Sequence, residues 1–120
     1  MKEKEIEIRI GRDFAKDMGY LVDHPEEIKG GRKIIYVDSL EKLASIITAE
    51  RFKLAQFIAE HGKMSINEIA QKLGRKREAV SRDLRKLHDF GLIKFDKKAQ
   101  KVYPKVTATE LKIQLKAMAK

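Results

Sequence analysis

Arg77, Ser81, Arg82 and Arg85 recur at a spacing that, on an α-helix over residues 76–90, carries three guanidiniums and a hydroxyl away from a separate apolar set of Ala79, Val80, Leu84 and Leu87. A guanidinium donates two parallel hydrogen bonds to guanine O6 and N7, or clamps a phosphate, and a serine hydroxyl reaches either. Glu78 projects on the same side. Arg75 and Lys76 precede the helix in a turn, where a cation meets phosphate more readily than a base edge. Ser65, at the start of the preceding helix, completes this end of the candidate DNA-contact set. The plainer interpretation of such charges is a solvated helix face with i,i+4 pairs, Glu78 with Arg82 for example. The surrounding elements favour the first.

Ser65 and Glu68 form S-x-x-E, the reciprocal capping pattern, ahead of Ile66, Ile69, Ala70 and Leu73 on one helical face. Gly74 closes that helix and Gly91 the next, which is the layout of a helix-turn-helix. A supporting helix is expected over residues 49–61, capped by Thr48, with Phe52, Ala55, Phe57 and Ile58 inward and Gly62 as its stop. After Gly91, residues 92–95 alternate, 96–100 are polar and 101–106 look extended again, so the pair predicts a β-hairpin, or wing. Pro104 implies an edge position or a strand end. Lys94, Lys97, Lys98, Lys101 and Lys105 would follow the DNA backbone as positioning charges. Tyr103 is expected to pack within the hairpin.

Upstream, residues 5–10 alternate with Ile6, Ile8 and Ile10 on one face of a strand. Asp13 offers a cap for a helix to about Val22, with Phe14, Met18, Leu21 and Val22 on its apolar side. His24-Pro25 and Gly30-Gly31 bracket a loop, and residues 33–37 form a second strand. Asp38-Ser39, with Glu41, caps a helix over residues 40–47. In the tail, Thr107-x-x-Glu110 is a capping box with Leu111, Leu115 and Met118 at helical spacing. Leu111, Ile113 and Leu115 also alternate as in a strand, and the residues alone leave both open. The fold class is therefore α+β, with 1–38 a strand-helix-strand extension, 39–106 a winged helix domain and 107–120 a C-terminal segment.

The net charge is +9 over 120 residues, yet residues 1–38 hold 8 Lys and Arg against 9 Asp and Glu, so the excess lies beside the helix pair. A basic surface of this kind attracts a polyanion by counterion release. With no cysteine there is no disulfide, thiolate metal site or cysteine nucleophile. His24, His61 and His88 stand apart from one another and from any nucleophile, and Gly30-Gly31 lacks the Lys-Ser/Thr of a phosphate loop. The expectation is a non-enzyme without catalytic residues, metal or cofactor. No apolar run is long enough to span a bilayer, so a soluble, cytoplasmic protein without a membrane partner is expected.

The stretch L-A-S-I-I-T-A-E-R-F-K-L-A-Q-F-I-A-E-H-G, followed by S-I-N-E-I-A-Q-K-L-G-R-K-R-E-A-V-S-R-D-L-R-K-L-H-D-F-G-L-I, resembles winged helix-turn-helix transcriptional regulators of the MarR/ArsR-like group. It looks closest to small archaeal and bacterial predicted regulators, over residues 36–106. The resemblance implies that Arg77, Ser81 and Arg82 face DNA, that Val80, Leu84 and Leu87 are core, and that residues 110–115 form a strand. Such families often cap the reading helix with Ser, Thr or Asp, where this chain has Lys76, a loss of about 1 kcal/mol. Their metal-sensing branch uses cysteine ligands, which this chain lacks. The implied function is sequence-specific regulation of transcription by a homodimer on a pseudo-palindromic double-stranded operator, with the first 38 residues and the tail as dimerising elements, by pairing strand 5–10 with the tail. The alternative is the antitoxin of a toxin pair, whose N-terminal segment binds the small toxin protein.

Overall fold

The computed structural model describes residues 5–11, 14–24 and 32–113. The expected cap at Asp13, the Gly30-Gly31 turn and the tail beyond Ile113, with Leu115 and Met118, lie outside them. The chain divides into two compact units, residues 1–44 with 108–120, and Ser45–Thr107. The expected boundary at 38/39 moves to 44/45, and the tail joins the N-terminal residues. The reason is strand pairing across the whole length of the chain.

In the first unit, β1 (Glu5–Ile10) lies between β2 (Arg32–Val37) and β5 (Glu110–Ile113), and both pairings are parallel. Ile8 faces Ile35 on one side and Ile113 on the other. A parallel β1–β2 pair requires a crossover, which contains α1 (Phe14–Asp23). Strand–tail pairing, expected between two copies, thus occurs within one chain, and both edges of β1 are filled. Alternating strands usually leave their polar face in water. Here Glu7 and Arg9 are each only 1% exposed, as are Ile6 and Ile8. The Arg9 Nε–H donates to Glu7 Oε2 at 2.9 Å and Nη1 to the Tyr36 hydroxyl at 3.2 Å, which makes the burial tolerable. On α1, Met18 and Val22 are exposed rather than inward, while the side chains of Phe14 and Leu21 lie outside the description. Gly11 takes a φ of +65° as β1 ends, and its N–H donates to the Val37 carbonyl. After β2, Ser39 rather than Asp38 caps α2 (Leu40–Ile46), its Oγ accepting from the Lys42 N–H.

The second unit is a helix triad and a hairpin. Thr48 caps α3 (Ala49–His61), its hydroxyl accepting from the Arg51 N–H. The buried face of α3 is Leu54, Ala55 and Ile58, so Leu54 takes the place expected for Phe52, which is exposed. Helix α4 (Ile66–Leu73) opens on the complete Ser65–Glu68 capping box and ends at Gly74 in the left-handed region. Helix α5 (Arg77–Phe90) ends likewise at Gly91, with Val80, Leu84 and Leu87 fully buried. Strands β3 (Ile93–Lys98) and β4 (Lys101–Val106) pair antiparallel.

One expectation changes at this end of the chain, and the strand that the resemblance implied for the tail forms over Glu110–Ile113. The broad polar turn over 96–100 contracts to Ala99-Gln100, because polar residues pair as readily as apolar ones along an exposed ribbon. Ala99 then carries a φ of 57°, a local strain of about 1–2 kcal/mol. Of the two readings the residues left open, the helix capped by Thr107 does not form. The Thr107 hydroxyl donates to the Gly91 carbonyl at 2.7 Å and its N–H to the Leu92 carbonyl, leaving Glu110–Ile113 to pair as a strand. Pro104 sits in β4 opposite Phe95, compatible with the open edge that a two-stranded ribbon leaves on each strand. Among the described residues no helix is long and apolar enough to cross a membrane.

Candidate nucleic-acid interface

Lys76 occupies the N-cap of α5 with extended backbone and no side-chain cap bond, yet the helix begins at Arg77, as the spacing requires. Three apolar residues at 0% exposure fix one face of α5. At 100° per residue, Glu78, Arg82 and Arg85 fall nearly opposite them, and Arg77, Ser81 and Asp83 lie on the flanks. Arg77, Glu78, Arg82 and Arg85 are exposed, Ser81 half-buried. The i,i+4 pair of Glu78 with Arg82 does not form. Among the described residues, Arg77, Arg82 and Arg85 enter no ion pair or side-chain hydrogen bond, so their donors are available to a ligand.

Arg75 is used differently. Its Nη2 donates to Asp83 Oδ2 at 2.8 Å, while Arg51 Nε donates to Asp83 Oδ1 at 3.1 Å. Asp83 and Arg51 were not among the sequence candidates. A single acid within S-R-D-L-R-K is a visible signal, but its partner on α3 is 32 residues away and only the fold brings it near. Ser65 is also reassigned: it is 3% exposed and its Oγ accepts from the Glu68 N–H while its own N–H donates to Glu68 Oε1 at 2.8 Å. It holds α4 rather than presenting a hydroxyl to a ligand. Hydrogen bonding to the Glu68 carboxylate from Ser65, from its backbone N–H foremost and its side chain second, keeps that carboxyl below the ordinary glutamate range.

On the wing, Lys94, Lys97, Lys98 and Lys101 are exposed, with Lys98 facing Lys101 across the two-residue turn. Lys105 is held apart by Asp96, Nζ to Oδ2 at 3.0 Å, and this hydrogen bond and charge depress the Asp96 carboxyl, aided by Lys94 and Lys98. Phe95 stacks on His88 at 5.0 Å, fastening the wing to the end of α5. Tyr103 is half-buried beneath Lys63, whose Nζ lies 5.1 Å from the ring centroid. The other described histidine of this unit, His61, stacks on Phe57 with Nδ1 2.9 Å from the Phe57 carbonyl. The whole unit carries 15 Lys and Arg against 7 Asp and Glu.

A capped helix, a glycine turn, a second helix packed by three buried residues and a two-stranded basic ribbon define a winged helix-turn-helix fold. Solved structures share it. HlyU from Vibrio vulnificus, a transcriptional regulator, is 21% identical with a TM-score of 0.50, the match covering 79% of this chain and 83% of that one. NolR from Sinorhizobium fredii is 16% identical at 0.51, covering 82% and 81%. A predicted DNA-binding transcriptional regulator from E. coli is 15% identical at 0.50, covering 81% and 86%. The family model HVO_A0114 matches residues 46–113, more than half of the chain, and the protein belongs to that family. No curated protein matches it.

Proposed function

We propose that this protein is a sequence-specific double-stranded DNA-binding transcriptional regulator, and that two copies act together on a pseudo-palindromic operator. The observation that carries it is the outer side of α5, where Arg77, Arg82 and Arg85 are exposed and unpaired on a helix whose opposite face is locked into the core. A helix of this kind enters the major groove with guanidiniums directed at base edges, and Glu78 and Ser81 add an acceptor and a hydroxyl. Lys94, Lys97, Lys98 and Lys101 on the ribbon neutralise phosphates and set the register. Lys76, exposed at the helix start, adds a further phosphate contact. The regulators that share the fold support the same assignment.

One such module reads only a few base pairs, and a two-fold pair doubles the site without new side chains. The test is to recover fragments of the source genome bound by the full-length protein and to measure sedimentation at micromolar concentration. Enrichment of a short inverted repeat with a dimer in solution is expected. Recovery of fragments without a shared sequence would overturn sequence-specific regulation, and a monomer would overturn the two-fold arrangement.

A further inference from the structure

Arg75 is the one arginine of the helix-turn-helix that the fold holds back. Its guanidinium meets Asp83 across two turns of chain, and the other oxygen of the same carboxylate receives Arg51 from α3. Asp83 is 14% exposed at its side chain and Arg75 26%, so the group is largely shielded from solvent. Arg51 has further anchors, because its Nη1 also donates to the Ser45 and Ile46 carbonyls at 3.0 and 3.1 Å. Arg75 has none: Asp83 is the sole side-chain partner it has among the described residues.

A carboxylate, like a phosphate, is an oxyanion that satisfies guanidinium donors, so Asp83 engages the group on Arg75 that would otherwise meet a phosphate. We propose that Asp83 is a positioning residue that sets specificity. It keeps Arg75 from serving as a phosphate ligand and ties the reading helix to α3, without touching DNA itself. The inference rests on the DNA-binding assignment above. Phosphate contacts strengthen binding to every sequence alike, so a withheld arginine lowers non-specific affinity and leaves the base-reading arginines to decide the outcome. Removing the negative charge releases Arg75 first, since Arg51 keeps its two carbonyls.

The experiment compares full-length wild type, Asp83→Asn, Arg75→Gln and the double variant on two duplexes of equal length, one recovered from the genomic selection and one random, across a KCl series. For Asp83→Asn, binding to the random duplex is expected to strengthen several-fold at low salt, with a log–log salt slope steeper by about 1, while the selected-to-random ratio falls. Arg75→Gln in the Asp83→Asn background should cancel that gain, a non-additivity that a purely structural carboxylate would not produce. Arg75→Gln alone should leave random binding and its salt slope at the wild-type level. That variant keeps the test decisive if Asp83→Asn fails to fold. Equal weakening on both duplexes by Asp83→Asn, a gain that survives in the double variant, or a loss of salt slope from Arg75→Gln alone would each overturn the proposal while wild-type selectivity stood. If wild type itself binds neither duplex, DNA binding falls and this proposal falls with it.

Discussion

In the three-stranded unit Arg9 is sealed within the sheet with its Nε–H on Glu7, whereas in the winged unit Arg77, Arg82 and Arg85 stand exposed and paired with no carboxylate among the described residues. The contrast extends to charge as a whole. The unit of residues 1–44 and 108–120 holds 12 Lys and Arg against 11 Asp and Glu, while Ser45–Thr107 holds 15 against 7. A buried charge must be matched locally because desolvation costs several kcal/mol, so it contributes to which structure forms and nothing to what is bound. An exposed, unmatched charge costs the fold little and remains free to release counterions from a polyanion. Arg51 and Arg75 fall between, largely shielded and paired to Asp83.

The contrast breaks most visibly at Glu7. Glu7→Leu removes the carboxylate that Arg9 Nε–H donates to and leaves a cation in an enclosed strand, a loss of about 3 kcal/mol in denaturant unfolding. The salt slope of DNA binding by the folded fraction should stay at the wild-type value. A loss under about 1 kcal/mol would mean that Glu7 is not what makes the burial of Arg9 tolerable, and that its other partners, Tyr36 among them, suffice.

Arg82 sharpens the other side. Arg82→Ala should leave unfolding within about 0.5 kcal/mol of wild type, since the side chain is exposed and unpaired. Its affinity for a selected duplex should fall by about 1–3 kcal/mol, with a far smaller loss on random DNA. Lys97→Ala on the ribbon should lower both alike and make the salt slope shallower by about 1. Equal behaviour of the two variants would erase the division between base reader and backbone positioner.

What could be foreseen in the sequence follows the range of the interaction. The Ser65–Glu68 box, the Gly74 and Gly91 stops and the Val80, Leu84, Leu87 face are set within one or two helical turns, and the structure contains each of them. The outer arginines were legible for the same reason, being the complement of that face. The Arg51–Asp83–Arg75 group was not, because it joins residues 32 apart through tertiary packing. The enclosure of Glu7 and Arg9 arises from tertiary structure that the alternation of residues 5–10 does not carry, including the pairing of Glu7 with Lys112 on β5 at the far end of the chain. Thr107 carried a correct local signal for a helix cap that the Gly91 carbonyl and the β1 edge override. Ser65 shows the converse, a residue whose local role was plain and whose burial excludes the second role expected of it.

That buried serine yields the smallest and most local effect. Ser65→Ala deletes the acceptor for the Glu68 N–H and should cost about 1 kcal/mol of stability at neutral pH. The Glu68 carboxylate accepts the Ser65 N–H, so Glu68→Gln loses the charge that helps the α4 N-terminus while keeping an acceptor oxygen. Because folding lowers the Glu68 pKa, its ionised form contributes stability that is fully present above the unfolded value of about 4.3 and is lost as pH falls through the still lower folded value. The deficit of Glu68→Gln against wild type should therefore be constant from neutral pH to about 5 and close progressively in more acid solution, whereas the Ser65→Ala deficit should retain a part that does not titrate. Denaturant unfolding of the three proteins across that range measures both. A Glu68→Gln deficit that stayed flat into acid would show that the box acts through its hydrogen-bond geometry alone, and that even an exposed carboxylate of the winged unit is held for shape rather than charge.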